Sequence, residues 1–429
     1  MFYFSFSYSQ SWTVLNAGLD RSVNVLYADS VTNKLYVGGE FTEADNIPSN
    51  FISVWDGNNW DSLAGGMHGG GPVFSIKRYN QHIYAGGYFR NSFSNGTGKI
   101  TNGFAKWNGS YWDSVGIGFH SSGGLLQMVE NNGILYMVGS FDSVGFILSQ
   151  SVVAYDGSDF LPIGIDGNYG SGGSASACLF YNNELHIGGN FQDSTASIHN
   201  FAKRNNNQWI NLCSAMGCGF IDAMAIYNGE LYFSGIYFTG PGQHIMKFDG
   251  SNFSSVGGDL DWRAWKLKVF NNLLFAVGGF NNAGGQQASK IAYWDGVAWS
   301  NFTNDIFDGD ITDIEVFNGD LYVAGGFTHI NNINFNRIAR YPNFIQNIQG
   351  VIANKIKIYP NPVNDQLLIQ SSHIKMEKIK INDVLGKEIY SKQISETTYQ
   401  LDVSFLKGGL YFLIIKTKDG RVVKKFVKE

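Results

Sequence analysis

An apolar strand that ends on glycine recurs along the first 350 residues and constrains the fold more than any other feature. Its copies begin with LYVGGEF at Leu35 and end with LYVAGGF at Leu321, and successive copies lie 43 to 53 residues apart. This period is typical of supersecondary units that cannot bury their apolar faces alone and therefore stack. Seven copies are present, with first glycines at Gly38, Gly86, Gly139, Gly188, Gly235, Gly278 and Gly325.

Each repeat carries four strand patterns separated by turn residues. In the first repeat they are SVNVLYAD, KLYVGGEF, ISVWDG and NWDSLAGG, with Asn33-Lys34 and Asp56-Gly57 at the hairpin turns. Four antiparallel strands per unit describe a propeller blade. The sequence therefore predicts an all-β fold whose main part is a seven-bladed β-propeller with four-stranded blades.

A glycine pair followed by two tryptophans marks several repeats, as where Gly38-Gly39 precedes Trp55 and Trp60. This pattern resembles kelch-type blades over about three hundred residues, which implies the same propeller fold. The chain departs from the kelch pattern, because Pro and Arg are missing after the second Trp and because Arg204 and Phe248 occupy two of the first Trp positions. Further copies of the pattern are Gly86-Gly87 with Trp107 and Trp112, and Gly278-Gly279 with Trp294 and Trp299.

The two ends of the repeat region complement each other. The seventh repeat reaches Pro342 after the strand that ends at Tyr341 and has no fourth strand, whereas QSWTVLNAGL near the N-terminus places Trp12 at the position of Trp60. Pairing of residues 10–17 with residues 337–341 would close the ring and leave no open sheet edge. We expect the propeller to span residues 10–341, followed by a linker over 342–354.

The last 75 residues alternate apolar and polar positions around turn residues, which indicates a small all-β unit. Three landmarks occur in order: Tyr359-Pro360-Asn361-Pro362, then Leu385-Gly386-Lys387, then Gly408-Gly409-Leu410-Tyr411 before a closing basic strand. Together they resemble the type A sorting domain of the type IX secretion system. The residues that carry the resemblance are Tyr359, Pro360, Asn361, Pro362, Gly386, Gly409, Tyr411 and Lys425.

This resemblance implies an Ig-like β-sandwich over residues 355–429 that guides the chain across the outer membrane of Bacteroidetes-type bacteria. The implied partners are the type IX secretion machinery and its cell-surface sortase, which usually removes the domain. A generic Ig-like binding module is the alternative interpretation. The order of the landmarks and their C-terminal placement favour the sorting domain.

The N-terminal residues also suggest export. Residues 1–9, MFYFSFSYS, place the small residues Ser7 and Ser9 before a cut at Gln10, as at the end of a signal peptide. The alternative is a short β-strand that begins the fold. No other segment approaches the ~18 apolar residues needed to span a bilayer, so no transmembrane segment is predicted. The expected location is the cell surface or the medium, reached through the periplasm.

Charge separates the two regions and excludes one class of partner. From Val351 onward there are 14 Lys and Arg against 8 Asp and Glu, which leaves 16 against 27 for the first 350 residues. An acidic main domain lacks the basic footprint that nucleic-acid binding needs. No nucleic-acid partner is predicted.

One connection between repeats differs from the others in composition. It reads DLDWRAW and contains Asp259, Asp261, Trp262, Arg263 and Trp265. Flat aromatic rings beside charged groups suit a sugar-binding surface, because a ring covers a pyranose face while the charges bond its hydroxyls. The alternative is that both tryptophans pack into a neighbouring blade.

A second connection, NDIFDGDITD, contains Asp305, Asp308 and Asp310. Oxygen-rich loops of this kind can hold Ca²⁺, although the spacing does not match an EF-hand loop. Solvated carboxylates at turns are the alternative. No other cofactor is predicted.

Two function classes stay open on the sequence alone. The first is a non-enzymatic, exported propeller that binds a glycan or a protein partner, and the second is a secreted carbohydrate-active enzyme such as a lyase, hydrolase or kelch-type oxidase. No linear catalytic motif occurs, so no catalytic residue is assigned and the binding protein is favoured. The spacing of Cys213 and Cys218 allows a small disulfide loop, with Cys178 buried on its strand.

Overall fold

The computed structural model describes residues 11–92, 99–119, 123–165, 173–193, 195, 197–213, 218–236, 239, 242–345, 356–371, 375–417 and 420–429. The chain divides into two compact units, Met1–Pro342 and Asn343–Glu429. The predicted signal-peptide remnant at residues 1–9, and residues 346–354 of the predicted linker, lie outside the described residues.

The first unit is built from antiparallel sheets that follow one another along the chain. In its described part, the sequence repeat forms six four-stranded sheets and one three-stranded sheet, numbered here sheets 1 to 7. Strand order within each sheet follows chain order, as in consecutive hairpins. The strands are Val23–Asp29, Lys34–Gly39, Ile52–Trp55 and Trp60–Asp61 in sheet 1; Val73–Tyr79, His82–Gly87, Phe104–Trp107 and Trp112–Ser114 in sheet 2; Gly124–Asn131, Ile134–Ser140, Val152–Tyr155 and Phe160–Pro162 in sheet 3; Ser174–Tyr181, Glu184–Gln192, His199–Asn205 and Gln208–Asn211 in sheet 4; Phe220–Tyr227, Glu230–Ile236, Ile245–Phe248 and Phe253–Ser255 in sheet 5; Ala264–Phe270, Leu273–Gly278, Ile291–Trp294 and Trp299–Asn301 in sheet 6; and Ile311–Phe317, Asp320–Gly325 and Ile338–Tyr341 in sheet 7.

Short strands occupy the loops between the second and third strands of several sheets. Residues of the preceding connection pair with these loops, as where Leu19 bridges to Ala44 and Leu260 to Ala283. The short pairs are Glu43–Ala44 with Ile47–Pro48, Ser143–Val144 with Ile147–Leu148, Asn282–Ala283 with Gln286–Gln287, His329–Ile330 with Ile333–Asn334, and Met67–His68 with Asn91–Ser92 and Lys99–Ile100.

The first strand of each sheet, called the inner strand below, contacts the inner strand of the next sheet. The inner strand of sheet 7 contacts that of sheet 1, so these contacts form a closed cycle. The N-terminal segment adds to sheet 7, because Thr13 N donates to Arg340 O at 2.7 Å and Arg340 N donates back at 3.0 Å. The pairing predicted over residues 10–17 is thus present as one antiparallel bridge.

The repeated tryptophans bind the connections that precede their sheets. Trp60 Nε1 donates to Leu15 O at 3.4 Å and Trp299 Nε1 donates to Val256 O at 3.1 Å, in each case on the preceding connection. Trp12 occupies the same place beside sheet 7, where its Nε1 donates to Asp305 Oδ2 at 3.0 Å. All three side chains are buried.

Polar side chains join neighbouring inner strands, which lie in separate sheets and share no backbone ladder. Ser75 Oγ, for example, accepts the buried Met128 amide at 3.0 Å, and Asp313 Oδ2 accepts the Leu26 amide at 2.9 Å. Buried amides need such acceptors. Every neighbouring pair is linked on or beside its inner strands: Asn24 to Val73, Ser75 to Met128, Gln127 to Cys178, Ser176 to Ile221, Asp222 to Arg263, Asp313 to Lys268, and Thr312 to Val23.

The repeated glycine has a steric cause. Each inner strand begins with a β-bulge, and a Cβ on the facing glycine of the second strand would meet the carbonyl oxygen before the bulge, at 2.1 Å for Gly87 and 2.2 Å for Gly325. The equivalent glycines are Gly39, Gly87, Gly139, Gly189, Gly235, Gly278 and Gly325. In the pairs that begin with Gly38, Gly86 and Gly188, the glycine that faces the bulge backbone is the second one, and a Cβ on the first would meet side chains of the next sheet at 2.3–2.6 Å.

The second unit consists of two antiparallel sheets that share one buried core, which includes Ile369, Leu401, Ile381 and Leu413. Alternation of apolar and polar residues gives each strand one face for this core. The three-stranded sheet contains Ile356–Tyr359, Gln366–Ser371 and Thr398–Asp402, and the four-stranded sheet contains Glu388–Glu396, Met376–Asn382, Gly409–Thr417 and Gly420–Lys428.

The bulge predicts unequal effects at the two glycines of sheet 7. Gly325→Ala is expected to lower the free energy of unfolding by about 1–3 kcal/mol, since its Cβ overlaps Asp310 O. Gly326→Ala is the matched control, because its nearest contact would be 3.9 Å away, and it should change stability by less than about 0.5 kcal/mol. Urea unfolding followed by tryptophan fluorescence measures both, since all 10 Trp lie in the first unit. Equal losses would contradict the steric explanation.

Candidate ligand-binding cavity

The seven bulges place one residue of each inner strand around a common cavity. The pairing register skips a single residue at each bulge, as between Ile221 and Ala223 or between Ala264 and Lys266. A bulged residue leaves the ladder and its side chain is redirected. The skipped residues are Asn24, Phe74, Leu126, Ser176, Asp222, Trp265 and Thr312, and all of them line the cavity and are half-buried.

The cavity has a volume of about 360 Å³ and draws its wall from all seven inner strands. This volume lies within the range of small-molecule sites, and the mixture of apolar and polar lining is typical of them. Gln127, Met224 and Lys266 add to the bulged residues. The first unit thus carries a preformed cavity at the place where its sheets converge.

Two of the residues predicted for a sugar site line or border this cavity. Trp265 lines it, and the Arg263 guanidinium carbon lies 3.9 Å from the centre of the Trp265 ring. The indole Nε1 of Trp265 donates to Asp310 Oδ2 at 3.1 Å, so the ring is held at both its face and its edge. Trp265 is therefore a fixed wall of the cavity.

Asp222 completes this cluster. Its Oδ2 lies 3.1 Å from Arg263 Nη1, and its side chain is 17% exposed. Burial raises the pKa of the Asp222 carboxyl to about 6, and the Arg263 charge, which acts in the opposite direction, does not offset this. The cavity thus contains a carboxyl that titrates close to neutral pH.

Trp262 is separate from the cavity wall. It is 46% exposed, and the His244 ring lies 5.7 Å from its ring. A Cβ on Gly279 would lie 2.7 Å from the Trp262 ring, so the indole stands beside the end of the second strand of sheet 6. It offers an exposed aromatic surface.

The two remaining residues predicted for the sugar site are engaged in turns. Asp259 accepts the backbone amides of Gln243 and Ile245 at 2.6 and 3.0 Å. Asp261 accepts those of Asn281 and Asn282 at 2.8 and 2.9 Å. Their carboxylates therefore stabilise loops, and the structure does not bring all five predicted residues into one surface.

The aspartates predicted for a metal site are also distributed among separate contacts. Asp308 accepts the amides of Thr328 and His329 at 2.7 and 2.9 Å, as Asp20 and Asp261 do in their own sheets. Asp305 accepts from Trp12, and Asp310 accepts from Trp265. Within the part of the chain that the structure describes, no group of three His, Cys, Asp or Glu is placed to hold a metal ion.

The cysteines are arranged as their spacing allows. Cys213 and Cys218 form a disulfide, and Cys178 is buried. Burial raises the pKa of the Cys178 thiol to about 12, so it stays protonated and unreactive.

In the second unit, most of the landmark residues serve the fold. Asn361 donates to Lys425 O at 3.2 Å and accepts from Val427 N at 2.9 Å, which joins the Tyr-Pro-Asn-Pro segment to the last strand. Tyr411 stacks on Phe426 with ring centres 5.7 Å apart. Tyr359 donates to Gln370 at 2.6 Å, and Gly386 has a φ of 83° in a turn stabilised by Asp383. Pro360 and Pro362 follow cis peptide bonds, Gly409 begins a strand, and Lys425 is exposed.

Comparison with known families identifies this second unit. Residues 357–429 match the family described as the secretion system C-terminal sorting domain, which confirms the sorting domain predicted from its landmarks. The protein is therefore exported across the outer membrane and either stays at the cell surface or is released, and its sorting domain interacts with the secretion machinery. In the described residues no helix is long and apolar enough to cross a membrane.

Solved structures resemble the chain in fold. PorZ, an essential bacterial surface component of the type IX secretion system of Porphyromonas gingivalis, aligns with a TM-score of 0.50 and 13% identity over 96% of this chain and 60% of that chain. The extracellular domain of a hybrid two component system from B. thetaiotaomicron aligns with a TM-score of 0.50 and 12% identity, over 98% of this chain and 59% of that chain. The chain thus spans about 60% of the length of these structures, and at this identity they show only a β-propeller-like fold. Comparison with curated proteins finds no match.

The sequence patterns did not reveal Asp222 or most of the other bulged residues. A signal for them exists, because each bulged residue stands 13 residues before its glycine in six sheets and 15 before it in sheet 1. Their chemistry differs from sheet to sheet, so no residue type repeats. The bulged residues can be located in the sequence only by their distance along the chain from the glycine that faces the bulge.

The raised pKa predicts that Asp222 destabilises the fold at neutral pH. An unfolded Asp ionises near its ordinary value of 3.8 and the folded one near 6, so the stability that the protonated group contributes is lost as the pH rises between these values. The Asp222→Asn side chain cannot ionise. Near pH 7.5 the free energy of unfolding of this variant should therefore exceed that of the wild type by up to about 3 kcal/mol, since each unit of pKa difference corresponds to ~1.4 kcal/mol. Near pH 4 the two should differ little. Urea unfolding at both pH values measures this difference, with Asp159→Asn, an exposed hairpin-turn residue, as the charge-matched control. The same gain at both pH values would refute the assignment.

Proposed function

We propose that this protein is an exported seven-bladed, kelch-like β-propeller that binds a glycan at its central cavity and is carried to the cell surface by an Ig-like sorting domain. The propeller would span residues 10–341, the linker 342–354 and the sorting domain 355–429. A cell-surface sortase is the proposed partner that removes the domain. The observation that carries the binding function is the cavity of about 360 Å³ with the fixed Trp265 in its wall.

The lining chemistry favours a glycan over a protein ligand. Several of the bulged residues are polar and uncharged, and they share the cavity wall with aromatic and aliphatic ones. A sugar has the complementary surface, because its hydroxyls bond polar groups while its C–H faces pack on rings. The exposed Trp262, which lies close along the chain to Trp265, would extend the contact along a longer saccharide. A protein partner would need a larger surface than a cavity of this volume provides.

Glycan binding is tested on a polysaccharide array with the full-length protein. Trp262→Ala is expected to weaken binding by about tenfold or more, as truncation of an aromatic contact does. Val297→Ala, an exposed apolar residue in the outer hairpin turn of sheet 6, is the control and should bind like the wild type. Absence of any saccharide binding by the wild type would refute the glycan assignment, and unchanged binding by Trp262→Ala would refute the contact with Trp262.

A carbohydrate-active enzyme on the same propeller is the second candidate function, and Asp222 is the observation that favours it. A carboxyl whose pKa is about 6 can exchange a proton near neutral pH, as a general acid or base must. Release of new reducing ends from a bound polysaccharide, abolished in Asp222→Asn, would support this function. Binding without release of product would leave the protein a non-catalytic receptor.

A further inference from the structure

The Arg263 guanidinium, which stacks on the cavity-lining Trp265, has unused hydrogen-bonding capacity. A guanidinium carries five N–H donors, yet the described residues provide Arg263 with one ionic partner, Asp222, on Nη1. Its Nε is buried, and among the described residues it finds no acceptor. Buried donors without partners are uncommon and call for an explanation. An anionic ligand group that takes the place of Asp222 would supply acceptors to this guanidinium.

The charges around the cavity agree with an anionic ligand. Lys266 lines the cavity from the same strand as Trp265, and Asp222 is the acid that faces it. Other nearby acids have cationic partners of their own, since Asp313 and Glu315 lie 2.9 and 3.0 Å from Lys268 and Asp310 lies 3.7 Å from Lys290. Lys266, together with Lys268, also lowers the pKa of Asp313. Burial disfavours the charged form of Asp222, the carboxyl that lines the cavity.

The uncharged lining groups are suited to hydroxyl groups. Ser176 and Thr312 use their hydroxyl protons on Ile221 O and Val23 O, which leaves their oxygen lone pairs directed to other donors. Asn24 is engaged through Nδ2 and Gln127 through Oε1, so an amide oxygen and an amide N–H₂ remain. The cavity therefore offers mainly acceptors for hydroxyl protons, together with a cationic corner.

We propose that the cavity binds an acidic saccharide, with a uronic acid carboxylate on Arg263 and Lys266 and the sugar hydroxyls on the polar bulged residues. The proposal rests on the glycan-binding function above and specifies its ligand class. Arg263 is the central residue, because its planar fork matches a carboxylate and Trp265 holds it in place. Asp222 occupies Arg263 in the absence of ligand and yields it to the sugar carboxylate.

The test uses the full-length protein and pairs of probes that differ only in charge. Hexamers of galacturonic, glucuronic and mannuronic acid, each beside its methyl ester, are titrated by calorimetry. One of the acids is expected to bind at least about tenfold more tightly than its ester, and Arg263→Gln should abolish that preference. Asp222→Asn should tighten binding of the acid by several fold and leave the ester unchanged, because it removes the competing carboxylate. Asp159→Asn should match the wild type.

Each outcome has a definite meaning. If neutral saccharides on the array bind but no acid is preferred to its ester, the acidic ligand class is wrong and the glycan-binding function stands. If neither the array nor the hexamers bind, both proposals fail. If a glutamate hexapeptide binds as tightly as the best uronate, the ligand is not a saccharide. If Arg263→Gln fails to fold by tryptophan fluorescence, the effect of Asp222→Asn on the preference decides alone.

Discussion

Everything in the first unit depends on how the inner strands are joined where the sheets converge. Sheets arranged in a cycle leave one edge of every inner strand without a backbone partner, and an unpaired buried amide costs about 1–3 kcal/mol. Side chains such as Ser75, Gln127 and Asp313 accept those amides. Asn24, Ser176 and Thr312 link neighbouring strands and also line the cavity. The groups that close the ring and the groups that a ligand would meet are therefore partly the same.

The aspartates of two ionic links in this ring have pKa values that are shifted in opposite directions. Asp313 is fully buried, and although burial acts to raise its pKa, the charges of Lys266 and Lys268 keep it low. Asp222 occupies the corresponding region of sheet 5 with Arg263 as its only ionic partner among the described residues, and its pKa is raised. The first arrangement stabilises the fold, whereas the second costs stability at neutral pH. An ionisable group with a raised pKa beside a cavity is typical of functional sites, where stability and function often compete.

The sequence predicted the sheets well and the cavity poorly, for physical reasons. Strand alternation and turn residues act locally, so four strands per repeat could be recognised from Asp56-Gly57 and similar turns. The bulge adds one residue to a strand without altering its polarity pattern, so Asp222 looked like an ordinary strand residue. Trp265 and Arg263 were found because their size and charge stand out in a connection of small residues. Asp261 and Asp308 stood out equally, and only their amide contacts reveal that they stabilise turns as Asp20 does.

Some landmark residues of the sorting domain stabilise its fold, whereas others are exposed and accessible to a receptor. Asn361 lies more than 60 positions from the strand it bonds, so its landmark segment records a tertiary contact between the first and last strands of the domain. Tyr411 is likewise buried against Phe426. Leu385, in contrast, is 89% exposed at the turn that contains Gly386, and Lys425 points outward from the last strand. Recognition by secretion machinery requires exposed groups, and these two residues are accessible to a partner. The positive φ of Gly386 accounts for the glycine of this turn, whereas the exposed Leu385 and Lys425 are the groups whose place in the landmarks the fold alone does not explain.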